Sequence, residues 1–126
     1  AGVEGRRFPW GNREADCALA VMAGCTTGPR GVGSLPAGAT PEGVLDVAGN
    51  VAEWVADTYH PDLTQLPADG GPHIDNPRHA SRVIKGGSWL ESARTVRPSV
   101  RDHFHADHRS YRVGFRVVVE LPASTT

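Results

Sequence analysis

The residues best suited to chemistry in this sequence are two carboxylates within residues 43–54. Asp46 and Glu53 stand on either side of Gly49-Asn50, a pair that lets the backbone turn sharply. Carboxylate oxygens, supplemented by main-chain carbonyls, are the donors that Ca²⁺ prefers. An Asp and a Glu near a turn are more often solvated or capping groups, so this spacing taken alone leaves both interpretations open.

A second candidate region is the basic stretch from residue 82 to residue 116. It contains 8 of the 13 Lys and Arg residues of the chain, namely Arg82, Lys85, Arg94, Arg97, Arg101, Arg109, Arg112 and Arg116. This concentration could form an anion-binding groove. The same arginines could instead form ion pairs that hold loops and strands together.

The same region contains a run of possible metal ligands. In an extended segment His103 and His105 would share one face, close to Asp107 and His108. A loop without fixed geometry makes solvated surface residues the preferred interpretation. The same interpretation is preferred for the histidines of the Pro-, Asp- and Gly-rich stretch 59–80, which are His60, His73 and His79.

Two cysteines are present, Cys17 and Cys25. Their separation allows a disulfide that closes a short loop, which would stabilise the fold by roughly 2–3 kcal/mol in an oxidising compartment. Two free thiols in a reducing compartment fit the sequence equally well. A zinc site would need more ligands than this region offers.

Length and composition limit the architecture. At 126 residues, 39% hydrophobic content and a net charge of −1, the chain suits one domain with a modest core and gives no reason to expect a nucleic-acid partner. No apolar run approaches a membrane span, and no leader is visible. Fifteen Gly and ten Pro favour short strands joined by many loops over a helix bundle.

Strands are predicted at two places. Residues 82–85 indicate a buried strand that runs into Gly86-Gly87-Ser88-Trp89, where the glycines permit close backbone approach. Residues 111–120, rich in valine near their end, indicate the last strand, and residues 121–126 a frayed tail.

Several motifs, taken in order, resemble the formylglycine-generating enzyme family, also called the sulfatase-modifying factor family. The resemblance runs from about residue 6 to residue 119 and covers the C-terminal half of that domain. The fold that the resemblance implies is α+β, irregular and loop-rich, with short antiparallel strands and little helix, and it is related to C-type lectins. The motifs are Phe8-Pro9-Trp10-Gly11, Leu45-Asp46-x-x-Gly49-Asn50-x-x-Glu53-Trp54, Gly86-Gly87-Ser88-Trp89 and Gly114-Phe115-Arg116.

The resemblance implies a structural calcium ion in the central segment, residues 43–54. Asp46 and Glu53 would supply side-chain oxygens, while Gly49 and Val51 would supply carbonyl oxygens. Trp54 would then lie in the core. The ion would tie the segment down and do no chemistry.

The resemblance also implies where copper chemistry would reside. Active members of the family carry two copper-binding cysteines just after the Gly-Gly-Ser-Trp motif. Residues 90–97 contain no cysteine, and the nearest positions hold Glu91 and Val96. Because Cu(I) requires soft thiolate ligands, no copper and no formylglycine-generating oxidase activity are expected.

The function expected from this resemblance is a calcium-stabilised, non-catalytic module that binds a protein or a small molecule. The predicted recognition face runs from Trp89 to Arg112. Its candidate ligand-binding residues are Trp89, Glu91, Arg94, Arg97, His103 and Arg109. Neither the compartment nor the ligand follows from the sequence.

Three alternatives remain. The chain could form one wall of an oxidoreductase of the same superfamily, similar to a sulfoxide synthase with a separate iron-binding domain. It could be a variable protein of a diversity-generating retroelement, with residues 102–111 as the diversified stretch. It could also be a regulatory domain of a larger protein such as a kinase or protease.

The domain organisation expected from the resemblance is incomplete. Members of the family usually carry another stretch of similar length ahead of the Phe-Pro-Trp-Gly motif. We therefore expect residues 1–126 to be the C-terminal portion of one domain, which packs against the N-terminal portion as its partner. A minimal domain that folds alone is the alternative.

Overall fold

The computed structural model describes residues 5–59 and 81–122. Its described elements are a short 3₁₀ helix and four strands. The strands are β1 (Ala52–Thr58), β2 (Ser81–Lys85), β3 (Asp102–His105) and β4 (Val113–Gly114), and the 3₁₀ helix is Pro36–Gly38. The prediction of solvated histidines within 60–80 falls on residues outside the described part of the chain, as do residues 123–126 of the expected tail.

The four strands form one mixed sheet in the order β3-β2-β1-β4. The pairings of β1 with β2 and of β2 with β3 are antiparallel, whereas β1 and β4 are parallel. The expected fold class of short strands, many loops and little helix is confirmed, and the parallel pair is the addition that the sequence did not indicate.

The core is small and made mostly of small side chains. Val83 and Ile84 are both buried, because β2 lies between β1 and β3 and is covered on both faces. A second buried cluster joins the N-terminal stretch to the stretch after β2. Its buried members are Phe8, Ala20, Ala48 and Val96.

The strand prediction for residues 82–85 is confirmed by β2, but the prediction for residues 111–120 is wrong over most of its length. Only Val113 and Gly114 pair, and the apolar side chains of residues 115–121 are exposed. Trp54 is half-buried and so is not a core residue as expected. The sequence also gave no indication of β3, whose four residues are mostly polar.

Asn50 joins four separate stretches of the chain. Its N–H donates to the Val21 carbonyl (2.7 Å), and its own carbonyl accepts from the Trp89 N–H (2.9 Å). Its side-chain oxygen accepts from the Arg30 N–H (2.8 Å), while its amide nitrogen donates to the Arg30 carbonyl (3.2 Å). Asn50 is buried and has a φ of 65°. A short polar side chain is thus used where the backbone is left-handed.

Glycine is required beside Asn50. Gly49 has a φ of 74°, and a Cβ there would lie 2.5 Å from the Val21 carbonyl oxygen. Its N–H donates to the Gly86 carbonyl (2.7 Å), and a Cβ on Gly86 would lie 2.6 Å from the Val47 carbonyl oxygen. The close backbone approach expected of the Gly-Gly-Ser-Trp motif is therefore made against the central segment.

Cys17 and Cys25 form a disulfide, with their Cα atoms 5.5 Å apart. The bridge closes the loop that contains Leu19, Ala20 and Val21, all of which are buried. Since Val21 also contacts Gly49 and Asn50, the disulfide supports the loop that anchors the central segment.

Within residues 5–59 and 81–122 there is no helix with the length and apolarity needed to cross a membrane.

Replacing Asn50 with alanine should lower the free energy of unfolding by about 2–4 kcal/mol. The variant loses both side-chain hydrogen bonds to Arg30. It also places alanine, whose side chain cannot form a local hydrogen bond, at a positive φ. Urea unfolding would measure the loss. The matched control is Asn12→Ala, because Asn12 is exposed and accepts one hydrogen bond from the Arg7 N–H (2.9 Å). Equal losses in the two variants would contradict the anchoring role of Asn50.

Removing the disulfide in the double variant Cys17→Ser/Cys25→Ser should lower the melting temperature by roughly 10 °C, which corresponds to about 2–3 kcal/mol. A reductant should produce a similar shift in the wild-type protein and none in the double variant. A wild-type melting temperature that does not respond to reductant would show that the bridge does not form or does not stabilise the fold.

Candidate functional site

The two carboxylates of the central segment lie in one cavity of about 410 Å³, called here the central cavity. Asp46, Val51 and Glu53 all line it, so three of the four residues proposed as calcium ligands are brought together. Gly49 is not among its lining residues. The complete lining is Val32, Gly33, Leu45, Asp46, Asn50, Val51, Glu53, Phe115 and Arg116.

Arg116 binds the oxygen atoms of this cavity. Its Nε donates to Glu53 Oε1 (2.5 Å), and one terminal nitrogen donates to Glu53 Oε2 (3.0 Å), which makes a two-pronged ion pair. The same terminal nitrogen donates to the carbonyls of Leu45 (2.8 Å) and Asp46 (3.1 Å). The hydrogen bond that Arg116 donates to Glu53 raises the pKa of Arg116, against the opposing effect of partial burial.

The position of Arg116 follows from the parallel pairing of β1 with β4. Glu53 lies opposite Gly114 in this register, and Arg116 follows two residues later along the chain. Gly114 is tightly packed, since a Cβ there would lie 2.9 Å from the Val51 side chain. The sequence motif Gly-Phe-Arg therefore delivers a guanidinium to the Glu53 carboxylate.

The fit of calcium to this cavity depends on Arg116. Carboxylate and carbonyl oxygens are of the right chemical type, but both oxygens of Glu53 are bonded to the guanidinium. One oxygen of Asp46 accepts the Gly33 N–H (2.7 Å). Across residues 5–59 and 81–122, no three His, Cys, Asp or Glu side chains are grouped so that they could hold a metal ion. These oxygen atoms are therefore of the chemical type that calcium binds, but they already accept hydrogen bonds from protein groups.

Glu91, predicted as a ligand-binding residue, is held by the protein itself. Its Oε1 accepts from Arg112 (3.0 Å), and its Oε2 accepts from the Ser88 N–H (3.0 Å) and the Ser88 hydroxyl. Ser88 is fully buried, and the Glu91 side chain is only 19% exposed. This carboxylate therefore fixes the turn after β2 and neutralises Arg112.

Trp89 belongs to the same neighbourhood. Its indole N–H donates to the Tyr111 carbonyl (3.3 Å), and the two aromatic rings lie 5.8 Å apart. Tyr111 is 72% exposed. Trp89, which is half-buried, and the exposed Tyr111 therefore present an aromatic surface beside the pair of Glu91 and Arg112.

Arg94 and Arg97 line a different cavity, of about 200 Å³, together with Arg7, Phe8, Glu14 and Ala93. We call it the arginine cavity. Its position is set by the buried cluster that contains Phe8 and Val96. Because these two apolar residues pack in one cluster, their sequence neighbours Arg7, Arg94 and Arg97 are brought to one place.

The charge of the arginine cavity is positive. Its lining includes three arginines and one glutamate, Glu14, whose carboxylate pairs with Arg7 at 2.7 Å. Arg97 Nε donates to the Arg94 carbonyl (3.3 Å), which orients the Arg97 side chain relative to the turn. Clustered guanidinium groups of this kind can bind a carboxylate, phosphate or sulfate group.

The remaining predicted residues lie apart from this cavity. His103 is exposed on β3 and stacks on the Tyr59 ring at 3.8 Å, while His108 stacks on Phe104 at 4.2 Å. His105 Nδ1 lies 3.8 Å from Asp107 Oδ2. Arg109 is exposed between β3 and β4. Two of the three histidines of this stretch therefore pack against aromatic rings, and His105 lies beside Asp107, so the three do not form one cluster.

Lys85, at the end of β2, is partly buried near Arg101. Burial lowers the pKa of the Lys85 ammonium group, and the charge of Arg101 lowers it further, while Asp57 opposes the change. Lys85 and Glu91 both line a narrow cavity beside β2, where the lysine adds to the positive charge of the region.

Three important residues were missed as site residues by the sequence analysis. Arg116 and Arg112 were only grouped with the other arginines of residues 82–116, Arg116 was also noted in the Gly-Phe-Arg motif, and Arg7 was not considered. Their partners are distant in sequence, since Arg116 is 63 residues from Glu53 and Arg112 is 21 residues from Glu91. The Gly-Phe-Arg motif was the one sequence feature that could have identified Arg116 as a site residue.

Comparisons with known proteins extend these observations. Residues 1–121 match the family model of the Sulfatase-modifying factor enzyme 1-like domain. A hercynine oxygenase of Mycolicibacterium smegmatis is 33% identical over 121 residues, which are 92% of this chain and 28% of that protein. The inactive C-alpha-formylglycine-generating enzyme 2 of Mus musculus is 29% identical over 131 residues, or 91% of this chain and 37% of that protein.

A solved structure shares the fold. Treponema denticola variable protein 1 superposes with a TM-score of 0.71 and 26% identity, covering 88% of this chain and 40% of that one. The chain thus spans well under half the length of each of these relatives.

Glu91→Gln should lower the free energy of unfolding by about 1–2 kcal/mol, because it removes the charge opposite Arg112 in a poorly solvated turn. Glu14→Gln is the matched control. The side chains of its ion pair are exposed, Glu14 at 75% and Arg7 at 50%, so loss of the pair should lower the free energy of unfolding by only about 0–1 kcal/mol. Chemical unfolding of both variants provides the comparison. A cost for Glu91→Gln no larger than that of Glu14→Gln would contradict the structural role of Glu91.

Proposed function

Because the chain belongs to the Sulfatase-modifying factor enzyme 1-like family, we propose that it forms a ligand-binding module of that type which recognises an anionic group and performs no redox chemistry with its own residues. The proposed ligand is a small molecule or a protein segment that presents a carboxylate, phosphate or sulfate.

The observation that carries this proposal is the arginine cavity. Arg94 and Arg97 were candidate ligand-binding residues from the sequence, and Arg7 joins them at the same cavity. Glu14 offsets one of the three positive charges. An anion that enters would gain charge-assisted hydrogen bonds from the arginine side chains that line the cavity.

The absence of copper chemistry in this proposal rests on the residues themselves. The two positions nearest to the family's copper cysteines are Glu91, which is engaged with Ser88 and Arg112, and Val96, which is fully buried. Cys17 and Cys25 are bonded to each other. Thiolates, which a soft Cu(I) site needs, are therefore not offered by this chain in its oxidised form.

A second candidate function is favoured by the similarity to hercynine oxygenase. In this alternative the chain supplies one wall of an oxygenase active site, and its reactive centre belongs to another part of a longer protein. The arginine cavity would then help to hold the substrate. The two candidates share the binding role and differ in what the bound ligand is used for.

A third candidate is a variable binding protein of a diversity-generating retroelement, which is supported by the likeness to Treponema denticola variable protein 1. Residues 102–111 would be the diversified stretch. A near-identical template repeat beside the gene would establish this role, and invariance of residues 102–111 among gene copies would remove it.

The partner that we propose for the exposed C-terminal stretch is a further segment of the same type of domain. Residues 115–121 expose five large apolar side chains, each at least 73% accessible. Contiguous apolar exposure of this kind favours contact with another polypeptide segment. These residues are Phe115, Val117, Val118, Val119 and Leu121.

A structural calcium ion remains part of the proposal for the central cavity. Asp46 and Glu53 offer carboxylates there, and Val51 lines the same space. The role of the ion would be to hold the central segment, and the ligand-binding residues of the arginine cavity are not involved.

The double variant Arg94→Gln/Arg97→Gln should weaken binding of inorganic phosphate at least tenfold, because each lost charge-assisted hydrogen bond is worth about 1.5–3 kcal/mol. Isothermal titration calorimetry at low ionic strength measures this, and binding by the wild type should weaken as salt is raised. Arg13→Gln is the control, since Arg13 is exposed, pairs with Asp16 and does not line the cavity. Unchanged phosphate affinity in the double variant would contradict the proposal.

Titration with hercynine distinguishes the first two candidates. If the chain serves an oxygenase of that type, it should bind hercynine, and the double variant should bind it less well. Phosphate binding without any hercynine binding would favour the simple ligand-binding module.

A further inference from the structure

The sequence contains a single lysine, Lys85, which ends β2 immediately before Gly86-Gly87. Its side chain is half-buried and lines a narrow cavity of about 20 Å³ beside β2, together with Thr95, Val100 and Asp102 among others. The ligand-binding role proposed for the arginine cavity does not use this side chain. A primary amine that is partly removed from water and lies near another cation is a potential nucleophile.

The carboxylates around Lys85 are engaged with other groups. Glu53 lies opposite Lys85 in the pairing of β1 with β2, but both of its oxygens accept hydrogen bonds from Arg116. Both oxygens of Glu91 likewise accept hydrogen bonds from other residues. Asp102 is exposed and accepts a backbone N–H (2.7 Å). Among the described residues, therefore, the Lys85 ammonium group has no ion-pair partner.

Two nearby charges act on Lys85 in opposite directions. Arg101 repels the ammonium form, whereas Asp57 attracts it. Partial burial has the largest effect and also disfavours the ammonium form, so the pKa of Lys85 is lowered from that of an ordinary lysine. More of this amine is therefore uncharged near neutral pH than in a solvated lysine, and the uncharged amine is the nucleophilic form.

We propose that Lys85 is a site of covalent acylation by small acyl phosphates. In this reaction the uncharged Nζ attacks the carbonyl carbon of the donor and forms an N–C bond. The bond between that carbon and the phosphate oxygen breaks, phosphate leaves with the electron pair, and the nitrogen releases one proton. This inference is independent of anion binding at the arginine cavity.

The surroundings of Lys85 favour this class of donor. The narrow cavity has room for about one water-sized group, which suits a short acyl chain. The positive charge of Arg101 attracts the phosphate group of the donor. The product is a neutral amide, so acylation removes both the repulsion from Arg101 and the cost of holding a charge at a half-buried position.

Treatment with acetyl phosphate, followed by mass spectrometry of the peptide that contains Lys85, provides the test. Near pH 7.5 Lys85 should be acetylated roughly threefold faster or more in the native protein than in guanidinium-unfolded protein. The reason is that a fall of one pKa unit raises the uncharged fraction about tenfold, and partial burial offsets some of that gain. Free Nα-acetyl-lysine in both solutions normalises the rates. A native rate no greater than the unfolded rate would overturn the proposal.

Variants of the two neighbouring charges test the cause of the reactivity. Arg101→Gln should raise the pKa of Lys85 and slow its acetylation, whereas Asp57→Asn should lower that pKa and speed the reaction. Rates that stay unchanged in both variants, or that move in the same direction, would contradict activation by these charges.

Lys85→Arg provides the matched control for the label. It should lose acetylation at residue 85 and still bind phosphate at the arginine cavity as the wild type does, because Lys85 does not line that cavity. Failure of acetylation at Lys85 is thereby distinguishable from failure of the proposed ligand-binding function.

Discussion

The structure depends on the hydrogen bonds of Asn50, because the chain has little regular secondary structure to satisfy its buried backbone. Buried N–H and carbonyl groups must find partners, and in a helix or sheet the neighbouring backbone supplies them. Here one buried asparagine and its glycine neighbour supply them instead, to Val21, Arg30, Gly86 and Trp89. The left-handed backbone at residues 49 and 50 makes this possible. An irregular fold thereby gains a fixed centre.

Both candidate sites are consequences of how other stretches are fixed around that centre. The short sheet sets β4 beside β1 and so delivers Arg116 to Glu53. The small buried cluster sets Val96 in the same core as Phe8, and this brings arginines from two distant stretches to one cavity. In each case a few buried residues position charged groups that remain reachable by solvent.

The sequence allowed prediction of the family, the loop-rich fold and the clustering of Asp46 with Glu53, because ordered glycine-bearing motifs specify close backbone contacts. It did not allow prediction of what these carboxylates bind, since the Glu53–Arg116 pair depends on a parallel strand pairing across 63 residues. The valine-rich pattern of residues 115–121 suggested a strand, but an apolar pattern cannot supply a hydrogen-bonding neighbour, and only two residues of that region pair. The strand β3 was missed because its residues are mostly polar, so that it forms a strand only through its pairing with β2.

The central claim is that the hydrogen bonds around Asn50 form the most persistent part of the fold, and native-state amide hydrogen exchange tests it most directly. The amides of Gly49, Asn50 and Trp89 donate to carbonyls of other stretches. They should exchange together in the slowest class, at a rate set by global unfolding. The Gly33 amide, bonded to the Asp46 side chain in an exposed loop, should exchange much faster. Exchange of Gly49, Asn50 and Trp89 as fast as that of Gly33 would contradict the account.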